Sequence, residues 1–450
     1  MDTSVKQDFL RPPQRMKATA AVLAAMALVV LDASIANIAL PTISVSLSIS
    51  PASSVHIITA YQLGLVMMLL PASALGESVG YRHIFTAGAA LFVTASLLCA
   101  LSPSIEWLVA ARFLQGGGGA GIMALGVALL RSIVPDQRLG AAIGWNAMVV
   151  ALSSAAGPTI GAVILSFAPW PWLFVFNLPI GALVLLAARA LPHADGSGRP
   201  IDAISTALNA GVFASLVLGA HALSTDPAVA AALFLTEIFS ASMLIRRERL
   251  RDTPLLPLDL LRMHPFRVSV IASILCFMGQ TAALIALSFN LQSNVGLSPI
   301  MTGAYLVPWP LAVALSGPIA GKLANHATPA WLCLAGGLMM ATGLATVALS
   351  TPQAAPLALP LCIMLCGVGF AFFNVPNNRS MFLSAPHERS GAAGGLQGVA
   401  RLTGQIFGAV AMSLIFSWAP LDEAPLIGLA LGAALTLAAG VVSLLHLRRG

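Results

Sequence analysis

The sequence is poor in charged residues. Asp, Glu, Lys and Arg together make up only 8% of its 450 residues, whereas 58% are apolar and the mean hydropathy is +0.91. Ordinary globular chains are about one quarter charged, and so few charges cannot cover a water-soluble surface. The shortage of charge excludes soluble domains, disorder and coiled coil, and it leaves a polytopic membrane protein.

Sites for metals, nucleic acids and catalysis are also missing from the sequence. The five cysteines lie in apolar stretches without the spacing of a zinc site, and the net charge of +6 is not gathered into one basic patch. The longest loop, residues 246–266, has no cluster of His, Asp or Glu. We therefore expect no metal, no cofactor, no nucleic-acid partner and no enzymatic activity.

Long apolar runs dominate what is present. About 20 apolar residues are needed to cross about 30 Å of hydrocarbon as a helix, and the chain has fourteen such runs. Their approximate limits are 18–40, 55–75, 84–102, 105–130, 139–166, 170–191, 202–221, 227–245, 267–291, 300–324, 329–350, 355–377, 391–417 and 424–446. The pattern predicts an all-α membrane protein with fourteen transmembrane helices.

The positions of the basic residues predict the orientation. Lys and Arg are retained on the cytoplasmic side of short loops, and 20 of the 22 lie in the two tails or in the loops that follow even-numbered spans. The opposite loops carry only acids. We therefore expect a multi-pass protein of the cytoplasmic (inner) membrane with both termini in the cytoplasm and an uncleaved N-terminal tail.

A repeat relates the two ends of the chain. The pattern P-x-x-R-x-G-A-A-x-G occurs at 135–144 and again at 386–395, and Ser50-Pro51 recurs as Ser298-Pro299. These displacements of about 250 residues exceed the length of six spans, so two parallel six-helix halves must be separated by an inserted pair. The predicted organisation is a tail 1–17, a first half 18–191, an insertion 192–266, a second half 267–446 and a tail 447–450.

Asp32 is the strongest candidate for a functional residue. It lies within the first span, where an unpaired charge costs about 2.5 to 3.5 kcal/mol on insertion scales, so such residues usually face a cavity. In low dielectric a carboxylate also takes up and releases a proton more readily near neutral pH. The repeat places Gln280, which does not titrate, at the equivalent position of the second half.

Further polar residues within the spans have two interpretations each. Arg112 in the fourth span either ties helices together or modulates a nearby acid, since its guanidinium stays charged. Glu237 in the insertion is either a second acid for cationic cargo or a partner for a neighbouring helix. Asn374 and Arg401 line the pore or join helices, and Asn37 lies one turn beyond Asp32.

Two motifs concern movement of the helices. Ser153, Gly157, Pro158 and Gly161 predict a kinked fifth span with a flat face for close packing. Residues 75–83, with Glu77, Gly80 and Arg82, form a tight cytoplasmic loop that either latches the helix ends together in one state or is merely solvated.

At these motifs the chain resembles the 14-span drug:proton antiporter branch of the major facilitator superfamily, over nearly its whole length. The resemblance implies that Asp32 is the protonation site, that Arg112 with Gln115 participates in proton coupling, and that Gly157-Pro158 with Gly161 marks an antiporter. The sequence departs from the family pattern in the loop motif, where Glu77 and Tyr81 replace the usual acid and base, and at Ser153, which replaces a glycine.

The predicted function is export of amphiphilic, and in particular cationic, drugs by a monomer that uses the proton gradient and no cofactor. This class of transporter contributes to multidrug and antibiotic resistance. The alternatives are export of one endogenous metabolite or peptide and, less favoured by the short loops, a membrane enzyme.

Overall fold

Fourteen long helices make up the described part of the chain. The computed structural model describes residues 12–193, 196–198, 202–223, 226–249, 258–349, 358–386 and 390–445, and within these ranges it has no β-strand. Each long helix is long and apolar enough to cross a membrane. They are α1 Pro12–Ser46, α2 Pro51–Val79, α3 Tyr81–Ala100, α4 Ile105–Ile133, α5 Asp136–Phe167, α6 Trp172–Ala190, α7 Ala203–Ala222, α8 Pro227–Glu248, α9 His264–Asn294, α10 Pro299–Leu323, α11 Pro329–Leu349, α12 Ala358–Ser384, α13 Ser390–Trp418 and α14 Ala424–Ser443.

The predicted number of spans is confirmed, and the limits differ by a few residues. Helix α1 is longer at both ends than the predicted 18–40, and it continues past residue 40 because Pro41 is accommodated inside the helix. The predicted loop 75–83 shrinks to one residue between α2 and α3, Gly80, whose φ of 111° favours glycine. Residues 1–11, 387–389 and 446–450, which include both predicted termini, lie outside the described residues.

The two halves pack in the same pattern. In the first half α1 contacts α4, α5 and α6, while α3 and α4 pack on each other; in the second half α9 contacts α12, α13 and α14, while α11 and α12 pack on each other. The repeat anchors occupy equivalent places. Ser50 and Ser298 cap α2 and α10, accepting hydrogen bonds from Ser53 N (3.1 Å) and Met301 N (3.4 Å).

Glycine pairs at equivalent positions bring neighbouring helices together in each half. A Cβ on Gly88 would lie 3.0 Å from the Cα of Gly121, and a Cβ on Gly336 would lie 2.5 Å from the carbonyl oxygen of Gly369. The first pair joins α3 to α4, and the second joins α11 to α12. Each glycine of the second pair follows its counterpart in the first pair by 248 residues. Small residues allow this close approach in membrane proteins.

The inserted helices form a hairpin beside the first half. Helix α8 packs on α7, and α7 packs on α2 and α13. Arg247 donates to both carboxylate oxygens of Asp202 at 3.0 Å, which pins the end of α8 to the start of α7. Asn209 of α7 donates to the carbonyl of Met67 of α2 at 3.1 Å.

The halves are joined most firmly at one end of the bundle. We call the end where α1 begins the tail end and the end where α1 stops, at Ser46, the far end. At the far end Gln292 of α9 donates to the carbonyl of Ile38 at 3.0 Å, and Ser413 of α13 donates to the carbonyl of Ala52 at 3.2 Å. One large apolar cluster there draws on both halves.

Towards the tail end the apolar core separates. One cluster belongs to the first half together with Leu402 and Ile406 of α13, and a smaller cluster around Phe266 and Met381 belongs to the second half. The apolar contacts between the halves are therefore most extensive at the far end, while towards the tail end the halves still meet along α2 and α13.

Candidate functional site: a buried polar cluster in the first half

Asp32 and Arg112 form an ion pair inside the first half. Nη1 of Arg112 lies 2.5 Å from Oδ2 of Asp32, and the two residues are only 1% and 3% exposed. Asp32 comes from α1 and Arg112 from α4, which contact each other directly. Each charge offsets part of the cost of burying the other, a cost that an isolated ion in hydrocarbon would bear in full.

Amide side chains complete the hydrogen bonding of the carboxylate. Oδ1 of Asp32 accepts from Nδ2 of Asn177 at 2.6 Å and from Nε2 of Gln115 at 3.0 Å. Gln115 also donates to Oγ of Ser96 at 2.9 Å and accepts from Arg112 at 2.5 Å. Gln115, Asn177 and Ser96 are fully buried. The cluster thus links α1, α3, α4 and α6.

The guanidinium of Arg112 also contacts a fifth helix, α2. Its Nε donates to the carbonyl of Ile57 at 3.3 Å, and its Cζ lies 4.2 Å from the ring centroid of Tyr61. Both residues belong to α2. A cation over an aromatic face is attracted by the ring quadrupole, so Tyr61 contributes to stabilising this charge.

The position of Asp32 differs from the sequence prediction. The sequence predicts a carboxylate that faces a cavity, but the described carboxylate points into the first half and is paired. The reason is that Arg112, on the neighbouring helix α4, supplies the counter-ion, so that the two charges balance each other. Asn177 and Ser96 were not predicted as site residues; the only signal for Asn177 was a polar residue inside an apolar span.

The glycines of α5 pack on the next part of α1. A Cβ on Gly157 would lie 2.3 Å from Cβ of Ser34, and a Cβ on Gly161 would lie 2.9 Å from Cγ2 of Ile38. The predicted flat face is therefore used against α1. The carbonyl of Pro158 faces Gly303 of α10, so this motif lies where α1, α5 and the second half meet.

The predicted latch makes its contacts within one half. Arg82 donates to the carbonyl of Leu191 at 3.2 Å, and the carbonyl of Glu77 accepts from Ser197 N at 2.8 Å. Both contacts tie the turn between α2 and α3 to the segment that follows α6. The side chain of Glu77 is exposed. In this conformation the contacts of Arg82 therefore stabilise the first half rather than joining the two halves.

The remaining predicted residues are scattered over the two halves and the insertion. Asn37, Gln280, Asn374 and Arg401 are half-buried on α1, α9, α12 and α13. Glu237 is half-buried on α8, which packs on α7 at the side of the first half. Among the described residues, Glu237 is therefore remote from the Asp32 cluster.

Comparison with known proteins agrees with this architecture. The Major Facilitator Superfamily model matches residues 22–409. A crystal structure of a POT family transporter in complex with a thioalcohol-conjugated peptide superposes with a TM-score of 0.74 at 14% identity and covers 98% of this chain and 97% of that one, which shows the fold alone.

Three relatives match at higher identity. The uncharacterized transporter YebQ of Escherichia coli (strain K12) is 41% identical and covers 92% of each chain. The riboflavin transporter RibZ of Clostridioides difficile (strain 630) is 30% identical over 81% of this chain and 80% of its own. The multidrug efflux pump LfrA of Mycolicibacterium smegmatis is 30% identical over 90% of this chain and 82% of its own. The chain therefore belongs to the Major Facilitator Superfamily and is a membrane transporter rather than an enzyme, with multidrug efflux pumps among its relatives.

Proposed function

We propose that the protein is a proton-coupled antiporter that exports amphiphilic compounds from the cytoplasm by alternating access. The observation that carries the proposal is the buried Asp32–Arg112 pair, held by Gln115 and Asn177. Intramembrane ion pairs are costly to build and mark ion pathways and proton relays. The relation to multidrug efflux pumps supports the export direction.

Helix α1 supplies a route from protonation to movement. Asp32 lies six residues, or about 9 Å along the helix axis, before Ile38, whose carbonyl accepts the far-end hydrogen bond from Gln292. A proton on Asp32 removes the charge that balances Arg112. The cluster must then rearrange, and α1 carries that rearrangement to the contact that closes the far end.

The orientation of the protein in the membrane is inferred from its basic residues. We propose that the tail end, which carries the basic residues, faces the cytoplasm, so that the described conformation is closed to the outside. The exchange uses the proton gradient and needs no cofactor. We propose that the unit of function is a monomer in the inner membrane, surrounded by lipid.

The choice of cargo has two candidates. A preference for cations is the prediction made from the sequence, and it depends on the Asp32 charge, which Arg112 neutralises in this conformation. Export of one metabolite is the second candidate, and the 30% sequence identity with the riboflavin transporter RibZ favours it. A competition panel separates them: displacement of one another by unrelated amphiphiles supports multidrug export, whereas competition by riboflavin alone supports the second.

The test of proton coupling uses purified protein in liposomes. A proton gradient is imposed, and cargo movement and internal pH are followed for the wild type and for Asp32→Asn. We expect the variant to lose gradient-driven transport. The control is Glu237→Gln, the same change from acid to amide on the outer helix α8, which should transport normally. Full gradient-driven transport by Asp32→Asn would refute the proposal.

A further inference from the structure

Arg401 is the second arginine inside the spans, and its environment differs from that of Arg112. It lies on α13, which packs against α2 of the other half. The side chain is half-buried, and its Nε is enclosed without a hydrogen-bond partner among the described residues. No described carboxylate forms an ion pair with it.

The other charges within the spans do not balance Arg401. Asp32 is paired with Arg112 inside the first half, and Glu237 lies on the outer helix α8. A guanidinium stays ionised in a protein, and an unbalanced one in low dielectric is expensive. The space between the halves therefore has a positive charge that the described protein does not neutralise.

Hydrogen-bonding groups surround this charge. On the second half, Gln397 lies one turn from Arg401 and donates to Asn378 at 3.4 Å, and Asn378 donates to Asn374 at 3.2 Å. These four residues form a polar strip on α12 and α13, and all are half-buried.

The first half contributes an amide side chain beside Arg401. Two contacts fix how α2 lies along α13: Ala52 meets Ser413, and Leu69 meets Gly398. Between these two contacts, Gln62 and Arg401 lie at similar heights along the two helices. The Oε1 of Gln62 is buried without a partner among the described residues.

We propose that Arg401 binds an acidic group of the cargo, so that the transported class is amphiphilic acids: a carboxylate or phenolate on an aromatic or otherwise apolar body. A guanidinium binds such oxygens through two parallel N–H donors. The amides of the polar strip and Gln62 bind other polar groups of the cargo. This inference rests on the proposed function and replaces its cationic preference with an anionic one.

The test uses two dyes with a common ring system. Fluorescein is an anion and rhodamine 123 a cation at neutral pH, and both are planar xanthenes. Binding to the full-length protein in detergent is measured by fluorescence anisotropy. We expect fluorescein to bind the wild type, Arg401→Gln to weaken this binding at least tenfold, and Arg401→Lys to weaken it less.

The controls distinguish binding from folding. Arg131→Gln makes the same change at an exposed position of α4 and should bind fluorescein like the wild type. The melting temperature of Arg401→Gln should stay level or rise, because the variant removes an unbalanced charge. A fall in melting temperature with fluorescein affinity kept within twofold would show that Arg401 joins helices, and it would overturn the inference.

The two proposals fail in different ways. If the proton gradient drives transport of rhodamine 123 but not of fluorescein, the proposal of an acidic cargo is refuted and that of proton-coupled export is not. Fluorescein binding that depends on Arg401, without any gradient-driven transport, refutes proton coupling and leaves the binding site intact.

Discussion

Gln292 and Ile38 join the two halves by one hydrogen bond, in which Nε2 of Gln292 donates to the main-chain carbonyl of Ile38 at 3.0 Å. Thr42, one turn further along α1, donates to Oε1 of the same glutamine at 3.4 Å. Because α1 also carries Asp32, the helix that holds the proposed protonation site is the one that closes the far end.

The first prediction concerns the ion pair itself. Asp32→Asn leaves the Arg112 charge buried without its partner, and Arg112→Gln leaves the Asp32 charge alone. Each change should destabilise the protein by about 3–5 kcal/mol. The double variant Asp32→Asn/Arg112→Gln should recover most of that loss and still lack proton-driven transport. Thermal unfolding in detergent measures the cycle, and simple additivity of the two losses would contradict the pairing.

The second prediction concerns closure of the far end. Gln292→Leu removes both hydrogen bonds to α1 and should shift the protein towards a state open at that end. A cysteine introduced at Thr42 should then react faster with a membrane-impermeant maleimide than it does when Gln292 is present. Protein without the added cysteine gives the background of the five native thiols. Equal rates in the two proteins would show that Gln292 does not hold the far end closed.

The third prediction concerns the motif on α5. Gly157→Ala places a methyl group 2.3 Å from Cβ of Ser34, and overpacking of this kind costs about 1–3 kcal/mol. We expect lower stability and slower transport, because α1 and α5 can no longer approach. Gly317→Ala is the matched control, since a Cβ there meets nothing within 4 Å. If both variants behave alike, close packing at Gly157 is not required.

The fourth prediction compares the two ends of the inserted hairpin. Asp202 caps α7 and also binds Arg247, whereas Asp226 caps α8 through Ala228 N at 3.0 Å and Val229 N at 3.2 Å. Loss of a cap costs about 0.5–2 kcal/mol. Because Asp202→Ala removes the ion pair with Arg247 as well as a cap, it should lower the melting temperature more than Asp226→Ala; an equal fall would show that the ion pair adds no stability.

The sequence predicts the architecture well because membranes restrict it strongly. Spans must be about 20 apolar residues long, and the repeat at Ser50 and Ser298 fixes two equivalent halves. Both features are read from consecutive residues of the chain, so the spans and the repeats can be identified without knowledge of any contact between helices. The same holds for the flat face of Gly157 and Gly161, although the partner helix could not be named.

The direction of Asp32 could not be predicted in the same way. It depends on how α1 is rotated about its axis relative to α4, and α1 shows no polar face that would fix this rotation. The nearest signal in the sequence is the buried charge of Arg112, but either a carboxylate or a carbonyl can serve as the partner of a guanidinium. Asn177 could not be predicted either, because a single amide in an apolar run, far from Asp32 in the sequence, forms no recognisable motif with it.

The buried polar cluster has no copy in the second half. At the repeat distance of 248 residues, Asp32, Ser96, Arg112 and Gln115 correspond to Gln280, Leu344, Pro360 and Ile363. In the two proposals, the protonation site therefore belongs to the first half, whereas Arg401, the residue that selects the cargo by its charge, belongs to the second. A chimaera that keeps residues 1–266 and takes the remainder from a relative should inherit the relative's selectivity while driving transport with the original proton machinery.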